Sequence, residues 1–206
     1  RNVYIHNHTY AGPGVFQITM LDQNRNTGVV NIDMSVEEAF CVITELVINP
    51  FAGVNNSVIL LNPPKERACL NKLWIHNPGA YDPDGDILQY SLITCHGDSC
   101  LPIPPDAYQL PDASTPSPDD VFTIDSQTGD VVWDVPPLQG EFNIAILIEE
   151  FRMVGGSLVK VGSVIRDMQI DVITFDNNPP EITEINDTCI IIGTPLIFNV
   201  EAVDVD

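Results

Sequence analysis

Basic residues are scarce in this sequence, and their scarcity limits what the protein can bind. The 206 residues include eight Lys plus Arg against 29 Asp plus Glu, which gives a formal net charge of -21 at pH 7. A surface this acidic repels the phosphate backbone of nucleic acids and the anionic surfaces of membranes. We therefore expect no nucleic-acid partner, and divalent cations are the natural counter-ions of such a chain.

Long apolar runs are missing too. No segment approaches the roughly 20 consecutive apolar residues that a membrane-spanning helix needs, so we expect no membrane span in this segment. The sequence opens on Arg1 without a signal-peptide pattern, and we expect it to be part of a longer chain.

Amphipathic helical stripes are almost absent, with SVEEAF at residues 35–40 as the one short candidate. Val and Ile are far more prominent than helix formers such as Ala and Lys, and 17 Pro and 13 Gly supply many turns. Short strands separated by turn residues are typical of β-sandwiches. The expected fold class is therefore all-β, built from antiparallel β-sandwich modules.

Local patterns predict individual strands. Residues 15–21 and 28–34 form a predicted hairpin across a polar turn, and CVITELVI at 41–48 continues the β-rich pattern. Residues 86–94, DILQYSLIT, alternate as a half-buried strand does. Six prolines in residues 102–120 predict a surface loop.

Turn residues predict two further strand pairs. The segment VFTIDSQTGDVVWDV, residues 121–135, predicts a strand, a turn at Thr128-Gly129 and a second strand. Residues 141–151 and 157–175 predict two long strands joined at Gly155-Gly156.

Repeated Asn-Pro-Pro sequences divide the chain into predicted modules. LNPPKE near residue 62 and NNPPEI near residue 179 are each followed by an Asp-x-Asp pair. Self-similarity of this kind is typical of tandem arrays. The predicted modules are residues 1–61, the closing part of one sandwich; 62–178, a complete sandwich; and 179–206, the start of a third.

Catalytic motifs are absent from the sequence. It contains no G-x-S-x-G, P-loop or Cys-x-x-Cys pattern, and the nuclease-like letters of His6-Asn7-His8 lack the helix and further His of such a site. Glu149 and Glu150 are neighbours on a predicted strand, so they point to opposite faces and cannot flank one glycosidic bond. We expect a non-enzymatic protein.

Five cysteines favour an oxidising, extracellular compartment, although buried free thiols in a cytoplasmic protein are the alternative. Cys95 and Cys100 bracket the tight loop HGDS, which a disulfide would close. Cys41 with Cys69 is the second candidate pair, and Cys189 is left alone.

Clustered acids are the strongest candidate site. Asp82, Asp84 and Asp86 alternate in DPDGD, where Pro83 fixes φ and Gly85 permits a bend that lets the carboxylates converge on Ca²⁺. An ordinary Asp-Pro-Asp-Gly turn is the alternative explanation. A second group of oxygens lies at the predicted junction to the third module, in Asp176, Asn177, Asn178, Asp204 and Asp206.

Three segments resemble a known family. AYDPDGDILQYSL, FTIDSQTGDVVW and DNNPPEI resemble, in this order, the A-x-D-x-D, F-x-I-D-x-x-T-G and D-x-N-D-N-x-P-x-F signatures of cadherin-like and related Ig-like domains. HTYAGPGVFQITMLDQNRNTG is similar to the closing half of a PKD-type domain. The whole chain resembles large surface proteins of Bacteroidota that carry a gliding-motility-associated C-terminal domain and leave by type IX secretion.

The resemblance implies a calcium-stiffened extracellular stalk, filament or adhesin. Asp82 and Asp84 match the A-x-D-x-D acids, Asp176, Asn177 and Asn178 match the linker N-D-N, and Asp204 and Asp206 match the next module's pair. The implied partners are neighbouring modules or copies of the same chain, with cell-surface or glycan ligands.

A carbohydrate-binding accessory module of a secreted hydrolase is the alternative function. Trp74 and Trp133 would then form an exposed sugar platform. Burial of both side chains in a sandwich core is the favoured interpretation, because large aromatic residues dominate core burial.

Overall fold

A computed structural model describes residues 5–114, 120–175, 180–184 and 189–204. Its described part is all-β, with several antiparallel sheets and very little helix. The strands are β1 (Gly14–Asp22), β2 (Phe40–Ile48), β3 (Ile59–Leu60), β4 (Lys65–Cys69), β5 (Trp74–His76), β6 (Ala80–Tyr81), β7 (Ile87–Ile93), β8 (Phe122–Ile124), β9 (Val131–Trp133), β10 (Gly140–Val154), β11 (Ser157–Ile173), β12 (Glu181–Ile182) and β13 (Ala202–Val203). One α-helical turn, α1 (Pro111–Ser114), and 3-10 turns at Ser35–Glu37 and Asp98–Cys100 complete the elements. Among these residues no helix has the length and apolarity needed to cross a membrane.

One large sheet organises the described part of residues 1–173, the first of two compact units. Its strands follow the antiparallel order β1-β2-β11-β10-β7, and β4 pairs in parallel with the end of β11. The two long strands β10 and β11 meet at Gly155 and Gly156, whose φ angles of 58° and 86° suit glycine. The predicted joint between two long strands is confirmed.

The main core contains side chains from β10 and β11 together with those of the small sheet β5-β9-β8. Trp133 packs edge-on against Phe122 and Phe142, at centroid distances of 5.6 and 4.9 Å. Its indole N–H donates to Asp120 at 2.6 Å. Trp74 is buried in the same cluster, so both tryptophans are core residues.

A second core cluster shows that two predictions were wrong, one of a strand and one of a surface loop. Residues 28–34 form turns and isolated bridges instead of a strand, since Val29 and Ile32 pack against Cys95 and Tyr108 in this cluster. Positive φ angles at Gly28 and Met34 interrupt the extended backbone at both ends of the segment. Residues 102–110 are also not a simple surface loop, because Ile103 and Tyr108 are buried here.

The true partner of β1 is β2, reached through residues 23–39, and this pairing changes the predicted module boundary. The β1-β2 pair joins the main sheet because Gly162–Val164 of β11 pairs with Thr44–Leu46 of β2. Strands before and after residues 62–64 therefore share one sheet, and no boundary between compact units lies there. The structure instead divides the chain after Ile173, five residues before the predicted start of the third module.

The disulfide joins Cys41 to Cys100, which corrects both predicted pairings. The β2 strand places Cys41 beside the Asp98–Cys100 turn, and the Cys41 N–H donates to the His96 carbonyl at 3.2 Å. Cys95, adjacent in sequence to this turn, is buried in the second core cluster instead. The disulfide thus joins two residues 59 positions apart and does not close the short HGDS loop.

The second unit, residues 174–206, contains the small antiparallel pair β12-β13. Its described apolar side chains are largely exposed, among them Ile191, Ile192 and Ile197. Of the predicted junction ligands, Asp176, Asn177, Asn178 and Asp206 lie outside the described residues, and Asp204 is exposed after β13.

Candidate metal centre

The acidic loop between β6 and β7 is held by its own first carboxylate. One oxygen of Asp82, Oδ1, accepts the backbone N–H groups of Asp84 at 2.8 Å and Asp86 at 3.1 Å. Gly85 has a φ of 76°, and its N–H donates to the Asp82 carbonyl at 3.3 Å. The local backbone therefore has the hydrogen bonds of an Asx-type turn, as the alternative explanation of this sequence predicted.

The same turn brings three carboxylates together. Asp82, Asp84 and Asp86 each offer an oxygen within 4.8 Å of the others, so the cluster could hold a metal ion. Burial differs among the three: Asp82 is buried, Asp86 is partly buried and Asp84 is exposed. The opening of the cluster to solvent is therefore on the side of Asp84.

A guanidinium already neutralises part of this charge. Arg152 of β10 donates from Nε and Nη2 to the two oxygens of Asp86, at 2.7 and 2.6 Å, and from Nη2 to Asp84 at 3.1 Å. Its Nη1 donates to the carbonyls of Ala52 and Val54. These carboxylates raise the pKa of Arg152, so the side chain stays cationic.

Asn56 holds the exposed carboxylate from the other side. Its backbone N–H donates to Asp84 Oδ2 at 2.6 Å and its side-chain amide to Oδ1 at 2.8 Å. These two bonds, followed by the contact with Arg152, lower the pKa of Asp84. The carboxylate is therefore ionised over the neutral range.

Asp82 Oδ2 is different from the other oxygens of the cluster. Asp82 is 7% exposed, and none of the described residues gives its Oδ2 atom a hydrogen bond. Leaving a buried carboxylate oxygen unpaired is unfavourable because the lost hydration is not replaced. A cation at the cluster would supply the missing partner.

Glu150 adds a fourth carboxyl group below the cluster. It is fully buried on the inner face of β10, where it accepts from the Asn55 amide at 2.5 Å and from the Val58 N–H at 3.1 Å. Burial, together with the nearby Asp82 and Asp86 charges, raises the pKa of Glu150.

Its neighbour Glu149 points the other way and pairs with Lys160 at 2.9 Å. The expected opposite orientation of Glu149 and Glu150 is confirmed, with one side chain buried and the other partly exposed.

Sequence reasoning found the three aspartates but missed Arg152, Glu150 and the 55–56 segment. The position of Arg152 depends on the register of two strands. Phe151 lies opposite Ile87, and this places Arg152 beside the loop that ends at Asp86. That register is not visible in the local pattern of either strand.

Comparison with known proteins adds no relative. No family model, curated protein or solved structure matches this chain significantly.

Proposed function

We propose that this chain is a non-enzymatic structural or adhesive part of a bacterial surface protein, in which calcium at Asp82, Asp84 and Asp86 stiffens β-sandwich modules of Ig-like or cadherin-like type. The observation that carries the proposal is the buried, unpartnered Oδ2 of Asp82 beside two further carboxylates. The resemblance of the sequence to secreted Bacteroidota proteins with PKD-like modules supports the same assignment.

Charge supports a divalent ion. Three aspartates converge, and Arg152 supplies one positive charge to the two of them that it contacts. The cluster therefore keeps a formal excess of two negative charges, which a divalent cation would balance. Calcium suits the arrangement better than magnesium because it accepts six to eight oxygens in irregular geometry, whereas Mg²⁺ requires near-ideal octahedral coordination.

An extracellular location is supported by the Cys41–Cys100 disulfide, which is compatible with an oxidising compartment. The proposed role is mechanical: cation bridging within the β6-β7 loop limits movement at the end of a sheet. Trp74 and Trp133 are buried, so these two side chains do not form the exposed sugar platform assigned to them in the carbohydrate-binding alternative.

Thermal unfolding with chelator and with millimolar calcium tests the site. A ligand that binds only the folded state adds about 2.7 kcal/mol when its free concentration is 100 times its Kd. We therefore expect a clear upward shift of Tm with calcium and a smaller one with magnesium. Superimposable curves reject the calcium site.

A matched pair of variants separates metal binding from turn structure. Asp82→Asn keeps an Oδ1 acceptor for the turn but removes the charge, so the calcium shift should disappear. Asp125→Asn is the control, because Asp125 Oδ1 also accepts two backbone N–H groups, of Gln127 and Thr128 at 2.8 Å each, but lies outside the cluster. The control should keep the full calcium shift.

A further inference from the structure

The side-chain amide of Asn55 contacts two ionisable groups, and the backbone amide that follows it contacts a third. Its nitrogen, Nδ2, donates to the Glu150 carboxyl group at 2.5 Å, and its oxygen, Oδ1, accepts from Arg152 Nη2 at 3.0 Å. The backbone N–H of Asn56 donates to Asp84 Oδ2 at 2.6 Å. A carboxyl group, a cation and a second carboxyl group thus surround two neighbouring amides.

An asparagine side chain and the backbone nitrogen of the next residue can react with each other. The backbone nitrogen attacks the side-chain carbon Cγ, the side-chain nitrogen leaves as ammonia, and water opens the resulting succinimide ring to aspartate or isoaspartate. Because the reacting atoms belong to neighbouring residues of one chain, ring closure is intramolecular. Its rate is limited by loss of the backbone proton, by the negative charge that develops on Oδ1, and by the poor departure of an unprotonated amine.

Asp84 is placed to accept the backbone proton. The distance of 2.6 Å from Asn56 N to Asp84 Oδ2 lies within the hydrogen-bond reach that a general base needs. The second oxygen, Oδ1, accepts the side-chain amide of Asn56 at 2.8 Å, so both oxygens of the carboxylate are directed toward this residue. The carboxylate is therefore held against the proton that must leave.

Arg152 and Glu150 meet the other two requirements. The guanidinium donates to Asn55 Oδ1, where negative charge develops as the ring closes, and a cation fixed at that place stabilises the charge. Glu150 contacts the nitrogen that leaves. Burial raises the pKa of this carboxyl group, so it keeps its proton to higher pH than an exposed glutamate does and can protonate the leaving nitrogen.

The segment that contains Asn55 belongs to no sheet. Residues 49–58 connect β2 to β3 and contain no helix or strand. Ring closure changes the backbone at residues 55 and 56, and no strand pairing has to break for this change. Asn143 is different, because it lies within β10 and is held by the pairing of that strand.

We propose that the fold promotes deamidation of Asn55, with Asp84 as the proton acceptor and Glu150 as the proton donor. The bond from Asn56 N to Asn55 Cγ forms while the proton of that nitrogen passes to Asp84. The bond from Cγ to Nδ2 then breaks, and Glu150 gives the leaving nitrogen the proton with which it departs as ammonia. Water opens the ring, and the proton held by Asp84 returns through solvent to Glu150.

The aspartate product replaces a neutral acceptor of Arg152 by a carboxylate. The guanidinium then gains an ion-pair partner in the segment that connects β2 to β3, and hydrogen bonds between charged groups are the stronger kind. The reaction needs no metal ion, so the proposal is independent of the calcium assignment and is tested in the presence of chelator.

Peptide mapping by mass spectrometry over a time course tests the reaction, with a folded sample beside one unfolded in urea. Since a positioned acid or base contributes roughly 100-fold or more, we expect Asn55 to deamidate at least about tenfold faster in the folded chain than in urea. Asn56 is the internal control, because its side-chain amide donates to the base Asp84 instead of to an acid. Acceleration of both asparagines alike, or of neither, overturns the proposal.

Variants assign the individual roles. Asp84→Asn keeps an oxygen that accepts the backbone N–H but is a poor base, so conversion of Asn55 should fall at least about tenfold. Arg152→Gln and Glu150→Gln remove the other two groups and should slow the reaction as well. Glu149→Gln is the matched control on the opposite face of β10, and it should react like the original chain.

Circular dichroism establishes that each variant is folded before its rate is compared. The comparison of the original chain with its urea-unfolded form needs no variant, so it decides the proposal even if a substitution prevents folding. If folded Asp84→Asn converts Asn55 at the original rate, Asp84 is not the base and the proposed mechanism is wrong.

Discussion

Arg152 and Asp86 are joined by two parallel hydrogen bonds, from Nε at 2.7 Å and from Nη2 at 2.6 Å. This bidentate geometry is the strong form of a carboxylate–guanidinium contact. Because Arg152 also donates to the carbonyls of Ala52 and Val54, it ties the acidic loop to the 52–54 segment across β10. The crowding of aspartates is therefore relieved in part by a cation of the chain itself.

Replacing Arg152 should expose the repulsion among the three aspartates. We expect Arg152→Gln to lower the free energy of unfolding by about 2 kcal/mol, since hydrogen bonds to a charged group are lost in a partly buried place. The calcium-dependent part of the stability should increase in this variant, because the carboxylates have lost their internal counter-ion. Urea denaturation with chelator and with calcium measures both quantities.

Arg67→Gln is the control for that experiment. Arg67 is exposed on β4, so its replacement should change stability by less than about 0.5 kcal/mol and leave the calcium response unaltered. If Arg152→Gln is as stable as the original chain in the presence of chelator, the guanidinium does not act as the counter-ion of the three aspartates.

Local sequence patterns were sufficient for several elements. The alternation in residues 86–94, the turn at Thr128-Gly129 and the Gly155-Gly156 joint each depend on side chains close together in the chain, and β7, β8-β9 and β10-β11 appear where these patterns predict them. The convergence of Asp82, Asp84 and Asp86 is local in the same sense, since five residues of one turn determine it.

Long-range pairings could not be predicted in this way. Strand β2 joins β11 across more than a hundred residues, and that contact places the predicted boundary at residues 62–64 inside one unit. Arg152 reaches the acidic loop only through the β7-β10 register. A hydrophobic pattern shows which face of a strand is buried, but it does not identify the partner strand.

The disulfide provides a second prediction. Linking residues 41 and 100 closes a loop of 59 residues, and chain-entropy estimates give about 4 kcal/mol for a loop of this size. We expect the double variant Cys41→Ala and Cys100→Ala to lose stability of this order in urea denaturation, whereas Cys189→Ser, at an exposed thiol, should lose little.

Peptide mapping of the oxidised protein provides the direct check on this connectivity. A fragment that contains Cys41 linked to Cys100 is the expected product. Recovery of Cys95 linked to Cys100 would instead restore the pairing that the sequence predicted.

The buried Glu150 provides a third prediction, for the pH dependence of stability. Burial raises the pKa of Glu150 above its ordinary value of 4.5, so the folded state holds this proton more tightly than the unfolded chain does. The resulting stabilisation is complete below the unfolded-state pKa and is lost as pH rises toward the folded-state pKa. Glu150→Gln cannot ionise and should lack this loss.

The difference in unfolding free energy between the original chain and Glu150→Gln isolates this one group from the other acids. We expect the original chain to lose stability relative to Glu150→Gln as pH rises above 4.5. Glu149→Gln is the matched control, because Glu149 is partly exposed and pairs with Lys160 on the opposite face of β10. A pH-independent difference for Glu150→Gln would mean that the carboxyl group ionises equally in both states, and the buried acid below the aspartate cluster would then be fully charged.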